Sequence, residues 1–496
     1  MKYISTRGGT HTPVNSAEAI KQGLASDGGL FMPCSIPTID TKFIEELSSM
    51  SYPERAAQIL SLFLTDYTYE ELIDDASMAY ADERFGGYAA PINAIDDRTV
   101  LLELWHGPTA AFKDMALQLM PRLFTRAMKK CDEKRNALIL VATSGDTGKA
   151  ALEGYKDIDG VYLKVFYPTD GVSAMQKLQM QTQVGHNLSV AAIRGNFDDA
   201  QSRVKEIFSS KECEDILETE GYFLSSANSI NFGRLVPQVV YYFSAYIDMC
   251  KSGKLTLGEK IDVAVPTGNF GNIFAAFIAK MMGLPIDKLI CSSNRNNVLT
   301  DFLQTGKYNQ NRPFYATTSP SMDILISSNL ERLIYTLFGA ERCKALMEEL
   351  RSKGEYVLTN DELKAINKHF IGYCATDDEV AKCIKRTYEE KECLIDTHTA
   401  VALVATEKYL REYKADKIML AASTASPYKF AHEVLYSIFG ITENAISAPK
   451  VLEERTKVKM PSPIANLQNK AIIHKDIIEK NDMWNSTLGF IKSIKH

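Results

Sequence analysis

The sequence predicts an α/β protein with largely parallel sheets, and three observations carry that reading. Short apolar runs recur along the chain, each followed by a turn and then a helical pattern. The runs are apolar throughout rather than alternating, as strands covered on both faces are. Loops rich in Gly, Ser, Thr and Asn stand between strand and helix, where parallel sheets bind ligands.

In chain order, a run at 100–104 leads to a helical pattern at 114–128 with Pro121 inside it, a candidate kink. The run 137–142 leads through a glycine-bearing loop to 149–155, 163–167 to 173–182, and 189–193 to 198–208. The run 261–265 precedes a second Gly-rich loop and the helix 271–282, and 417–422 precedes 427–439. The expected organisation is an N-terminal domain over 1–95, with short helices at 41–49 and 52–63, then a two-lobed α/β core over 96–320. Residues 321–390 are charge-rich, mostly helical and without clear strands, and read as a helical insertion. Residues 391–450 return to the core, and 451–496 form a C-terminal extension.

Composition narrows the function classes. The chain has 496 residues, 45% hydrophobic and 24% charged, with a net charge of −6, and no basic run marks a nucleic-acid surface. Its nine cysteines are odd in number and scattered, without CxxC spacing, so neither a disulfide framework nor a zinc site is expected. No HxxxH or carboxylate cluster suggests a metal. No apolar run reaches the roughly 20 residues of a membrane span, and the start MKYISTRGGTH lacks a signal-peptide core. A soluble protein of the reducing cytoplasm is expected. Self-association is left open.

Lys113, in the stretch HGPTAAFKD over 106–114, is the residue of greatest chemical interest. Asp114 reads as the cap of the following helix, which sets Lys113 at the positive end of the helix dipole, with Phe112 beside it. The dipole end and the aromatic neighbour both lower an amine's pKa, as a Schiff-base lysine requires. Position alone also fits a solvated lysine at a helix entry.

Three loops add to it. Pro266–Asn272 reads PTGNFGN; Gly268 and Gly271 let Gly268, Asn269, Phe270, Gly271 and Asn272 turn backbone N–H groups inward at a helix start, a cup for phosphate. It lacks both the Walker and the dinucleotide pattern. Residues 143–148 read TSGDTG and expose donors suited to a carboxylate, although Asp146 within them fits a capping role or a cation better. Residues 423–427 read STASP, whose hydroxyls face a ring nitrogen or cap the next helix.

A low-pKa lysine, a phosphate cup, a carboxylate loop and a hydroxyl at a strand end are the parts of a pyridoxal-phosphate site. HGPTAAFKD, TSGDTG, PTGNFGN and STASPYKF resemble the motifs of the threonine synthase family, in the fold-type-II group of pyridoxal-phosphate enzymes. So do Tyr3–Gly8 (YISTRG), Ser226–Asn231 (SANSIN), Pro320–Asp323 (PSMD) and Asp396–Val401 (DTHTAV). These motifs span residues 3 to 430 in the family's order, and the added N-terminal region and insertion resemble its long class.

The resemblance implies two doubly wound domains of the tryptophan synthase β-like architecture and pyridoxal 5'-phosphate as cofactor. Lys113 would hold that cofactor in a Schiff base and move protons among the substrate's α, β and γ carbons. Residues 268–272 would wrap its phosphate, and Thr424 would meet its ring nitrogen. Ser144, Gly145, Asp146, Thr147 and Gly148 would meet the substrate carboxylate and the ring edge. The family's substrate, O-phosphohomoserine, requires a second anion site; Thr109, Asn228, Ser229, Asn231 and Arg234 are the candidates, with Arg7 as another possible cation. The products would be L-threonine and phosphate. A phospho-lyase releasing 2-oxobutyrate, or a non-catalytic binding protein on the same fold, are the alternatives. Ser426 and Tyr428 depart from the histidine and alanine of many members, which bears on rate and substrate pocket. His106 and His398 sit inside motifs, where contact with substrate and fixing of local backbone are both open.

Overall fold

Two parallel sheets set the site between them. The computed structural model describes residues 1–9, 12–143 and 145–494, apart from the Asp198 side chain. Strands Phe370–Cys374, Ile286–Ser293, Ile261–Pro266, Met419–Ser423, Thr99–Glu103 and Ile92–Ala94 form one sheet in that spatial order. Every pairing in it is parallel except the edge strand Ile92–Ala94, which runs antiparallel to Thr99–Glu103. The second sheet orders Asp476–Glu479, Leu188–Arg194, Val161–Pro168, Asn136–Ala142 and Tyr222–Ser225, all parallel.

The continuous apolar runs become these strands because both faces are covered: Thr99–Leu102 and Ile261–Pro266 are buried at every position. Pro237–Lys251 is a helix buried nearly all round, from Pro237 to Ile247, against the helices Tyr52–Phe63 and Gly271–Met282. Its sequence lacks a polar stripe, and periodicity passes over it for that reason.

The N-terminal region pairs Tyr3–Ser5 with Phe31–Pro33 and packs helices behind them. Tyr69–Ala79 starts at a capping box, in which Thr68 Oγ1 accepts from Glu71 N while Glu71 accepts from Thr68 N. Arg55 fastens this region to the core through Asp248 at 2.8 Å.

Three expectations need correction. Residues 321–390 do contain strands. Glu355–Val357 pairs with Lys307–Asn309, and Phe370–Cys374 is an edge strand of the larger sheet. The long helix there, Leu330–Lys353, is broken at Gly339, with φ 81° and ψ 175°. Residues 451–496 likewise supply a sheet strand, Asp476–Glu479. The helix expected over 114–128 is two helices, Asp114–Leu117 and Met120–Lys130, with Pro121 in the first turn of the second, where its missing N–H costs no hydrogen bond. Among the described residues no helix is long and apolar enough to cross a membrane.

Candidate active site

Three neighbouring strands of the larger sheet deliver the site from their carboxyl ends. Ile261–Pro266 leads to the glycine cup, Met419–Ser423 to Thr424, and Thr99–Glu103 to the Lys113 loop. Backbone bonds hold the last two loops together: Phe112 N donates to Thr424 O at 2.8 Å and Ser426 N to Ala110 O at 3.1 Å. The fourth loop, 143–148, comes from the smaller sheet strand Asn136–Ala142.

Lys113 is not a solvated lysine; its side chain is 12% exposed. Burial, reinforced by Arg234 and Lys429, lowers its pKa to about 8, while Asp146 and Asp114 oppose the shift. Phe112 lies beside it, 5.7 Å from Nζ to ring centroid. Asp114 does not cap the helix. It is the first helical residue, and its carboxylate accepts from Thr109 N at 2.8 Å and Thr109 Oγ1 at 2.7 Å, so it fixes the loop in front of Lys113. Burial raises that carboxyl to about 6.

Asp146 faces cations. Lys429 Nζ stands 2.6 Å from Oδ1 and Lys113 Nζ 3.9 Å from Oδ2. Gln176 Nε2 donates to Oδ1 at 2.8 Å and Ser321 Oγ to Oδ2 at 3.2 Å. Burial alone would raise this carboxyl, but the two ammoniums hold it far below the usual carboxylate range. Thr143 Oγ1 already accepts from Gly145 N and Gly148 N, at 3.0 and 2.9 Å, so these two N–H groups are not free for a substrate carboxylate. The first-turn N–H groups of Asp146 and Thr147 remain. Ser144 lies outside the described residues.

The cup is built as a cradle of N–H groups. Phe270 takes a left-handed conformation, φ 62°, just before the helix Gly271–Met282, while its ring is buried 5.5 Å from that of Phe370. Gly268 O accepts from Ser327 Oγ at 2.8 Å, and Asn269 O accepts from Asn329 N and Nδ2 at 3.1 and 2.9 Å. With the carbonyls so held, the first N–H groups of the helix have no intrahelical acceptor. Asn272 Oδ1 accepts from Tyr241 OH at 2.7 Å and from Tyr242 OH, while its Nδ2 is buried without a partner among the described residues. Thr424 is buried, and its hydroxyl has no partner among the described residues. An amine with a lowered pKa, a cradle with a spare buried donor and a free hydroxyl fit pyridoxal phosphate. No group of His, Cys, Asp and Glu able to hold a metal occurs among the described residues.

The second-anion candidates divide. Asn231 is a structural cap: Oδ1 accepts from Gly233 N, and Nδ2 donates to Ile20 O at 2.9 Å and Ser226 O at 3.1 Å. The Thr109 hydroxyl is bound to Asp114. Arg7 is engaged in a two-pronged pair with Glu331, at 2.9 and 2.8 Å. Asn228 and Ser229 keep free side chains among the described residues, beside a backbone that Arg332 ties down at Ser229 O and Ile230 O. Arg234 is buried and donates to Ala227 O at 3.1 Å, with no carboxylate pairing it among the described residues. Burial lowers its pKa to about 10.

His398 is buried in a relay. Its Nε2 accepts from Ser321 N at 3.2 Å, so Nδ1 carries the proton toward Asp396 at 2.8 Å. His106 instead pairs with Glu103 at 2.8 Å and stacks on Trp105. Ser426 and Tyr428 serve structure: Ser426 Oγ accepts from Tyr428 N, and the buried Tyr428 hydroxyl reaches Val458 O. Sequence reasoning left Lys429, Ser321 and Gln176 without roles. Lys429 and Ser321 lie inside recognised motifs, whereas no sequence signal marks Gln176.

Fold and site define a pyridoxal-phosphate-dependent enzyme of fold type II. A model described as "Pyridoxal-phosphate dependent enzyme" matches residues 97–424, and one described as "Threonine synthase N terminus" matches 2–80. Threonine synthase of Saccharomyces cerevisiae is 33% identical over 484 residues, covering 92% of this chain and 93% of its own length. Human threonine synthase-like 1 is 38% identical over 437 residues, or 85% of this chain; the match spans 58% of that relative. The crystal structure of the pyridoxal-phosphate-bound threonine synthase of Brucella melitensis superposes with a TM-score of 0.87 at 33% identity, covering 100% of this chain and 99% of the other. The chain belongs to the threonine synthase family.

Proposed function

We propose that the protein converts O-phosphohomoserine and water to L-threonine and phosphate. The observation that carries this reading is Arg234, a buried guanidinium without a carboxylate partner among the described residues, near enough to Lys113 to oppose its charge. It supplies an anion site in addition to the glycine cup, as a phosphorylated substrate needs.

The cofactor, when bound, supplies an electron sink for negative charge at the substrate carbons. The N–H groups of 268–272 hold its phosphate and Thr424 its ring nitrogen. Arg234, with Asn228 and Ser229, receives the substrate phosphate and steadies it as it leaves Cγ. The free N–H groups of Asp146 and Thr147 receive the substrate carboxylate. Lys113, largely neutral above its pKa of about 8, takes the proton from Cα and then one from Cβ, so that phosphate can leave Cγ. Protons are returned at Cγ and, after water adds at Cβ, at Cα. Water must be kept out until it adds at Cβ, a task suited to closure of the two sheets on each other. Nine free thiols favour the reducing cytoplasm as its compartment.

The test is product analysis of the purified protein with O-phosphohomoserine. Threonine and phosphate in equal amounts support the reading. Phosphate accompanied by 2-oxobutyrate, with no threonine, overturns it.

A further inference from the structure

We propose that Lys429 is a positioning residue: by occupying Asp146 it keeps that carboxylate from closing a tight ion pair with Lys113, so that Lys113 works as a free amine. The inference rests on the role given to Lys113 above.

The geometry is asymmetric. Lys429 is fully buried, 2.6 Å from Asp146 Oδ1, and also donates to Thr109 O at 3.1 Å. Lys113 stands 3.9 Å from Oδ2, beyond hydrogen-bond distance. Gln176 and Ser321 take further acceptor positions on the two oxygens. The carboxylate thus makes its close ion pair with Lys429, and its pull on Lys113 is opposed by the Lys429 charge. The charged groups facing Lys113 are Asp146 and Asp114, which favour its ammonium, and Arg234 and Lys429, which disfavour it. Stability alone gives little reason for the pair, because buried ion pairs seldom outdo apolar side chains of the same volume. A second consequence is structural: through Thr109 O, Lys429 reaches the loop that Asp114 holds in front of Lys113.

The test is the pH dependence of the bound cofactor's visible band in the full-length holoenzyme. Lys429→Met frees Asp146 for Lys113, and the band's midpoint should rise by about one pH unit or more, the usual effect of one adjacent charge. Asp146→Asn should move it the opposite way. An unmoved or lowered midpoint in Lys429→Met overturns the proposal. If Lys429→Met does not fold, Lys429→Gln, which removes the charge but keeps a donor for Asp146 and Thr109 O, decides: a raised midpoint supports the proposal and an unmoved midpoint overturns it. A wild-type protein without any visible band would instead defeat the assignment of Lys113 itself.

Discussion

Lys429 Nζ lies 2.6 Å from Asp146 Oδ1, and both side chains are buried. This contact joins the loop after Met419–Ser423 in one sheet to the loop after Asn136–Ala142 in the other. The two sheets are therefore tied together at the base of the site by a buried ion pair. The bonded and unbonded polar groups around it give predictions that separate binding from stability.

Asp114 makes stability pH-dependent. Its carboxyl is raised from the usual 3.8 to about 6 by burial, so the folded state binds its proton more tightly than the unfolded chain does. That contribution is full below about pH 4 and is lost as pH rises through 6, a change of about 3 kcal/mol at most. Denaturant titration across this window should show the slope in the wild type and a smaller one in Asp114→Asn. Equal slopes would remove Asp114 as its source.

Arg234→Met should leave the cofactor band intact while lowering kcat/KM for O-phosphohomoserine about 10- to 100-fold, the loss expected for a charge-assisted hydrogen bond of about 1.5–3 kcal/mol. Stability should change little, because relieving a guanidinium that burial disfavours offsets the lost bond to Ala227 O. Steady-state kinetics together with a melting curve check both halves. Loss of the cofactor band would place Arg234 at the cofactor instead.

His398→Ala leaves Ser321 N unpaired and removes the ring packed 4.8 Å from Phe430. The expected cost is about 1–3 kcal/mol for the orphaned donor, plus the lost packing. Chemical denaturation measures it. Unchanged stability with a large fall in kcat would mean that His398 meets the substrate directly.

Much of this was legible in the sequence, and the losses have physical causes. Continuous apolar runs gave the parallel strands, and the glycines at 268 and 271 gave the strand-to-helix turn, because both signals are local. Phe370–Cys374 was missed because FIGYC is short and lies among charged helices. Asp114 looked like a cap because it precedes a helical pattern. Its true partner, Thr109, lies back along a loop whose path no periodicity reveals. Asn231 looked like a ligand, yet an Asn directly before Phe-Gly at a helix start is also a cap signal, and capping is the role it plays. The pairing of Asp146 with Lys429 joins residues far apart in sequence and on different sheets, so only the fold displays it.

The most direct measurement is borohydride reduction of the holoenzyme followed by peptide mapping. The cofactor should be found covalently attached at Lys113, with the visible band lost on reduction and absent from Lys113→Ala. Attachment at Lys429, the other buried lysine on Asp146, or at no lysine at all, would contradict the account.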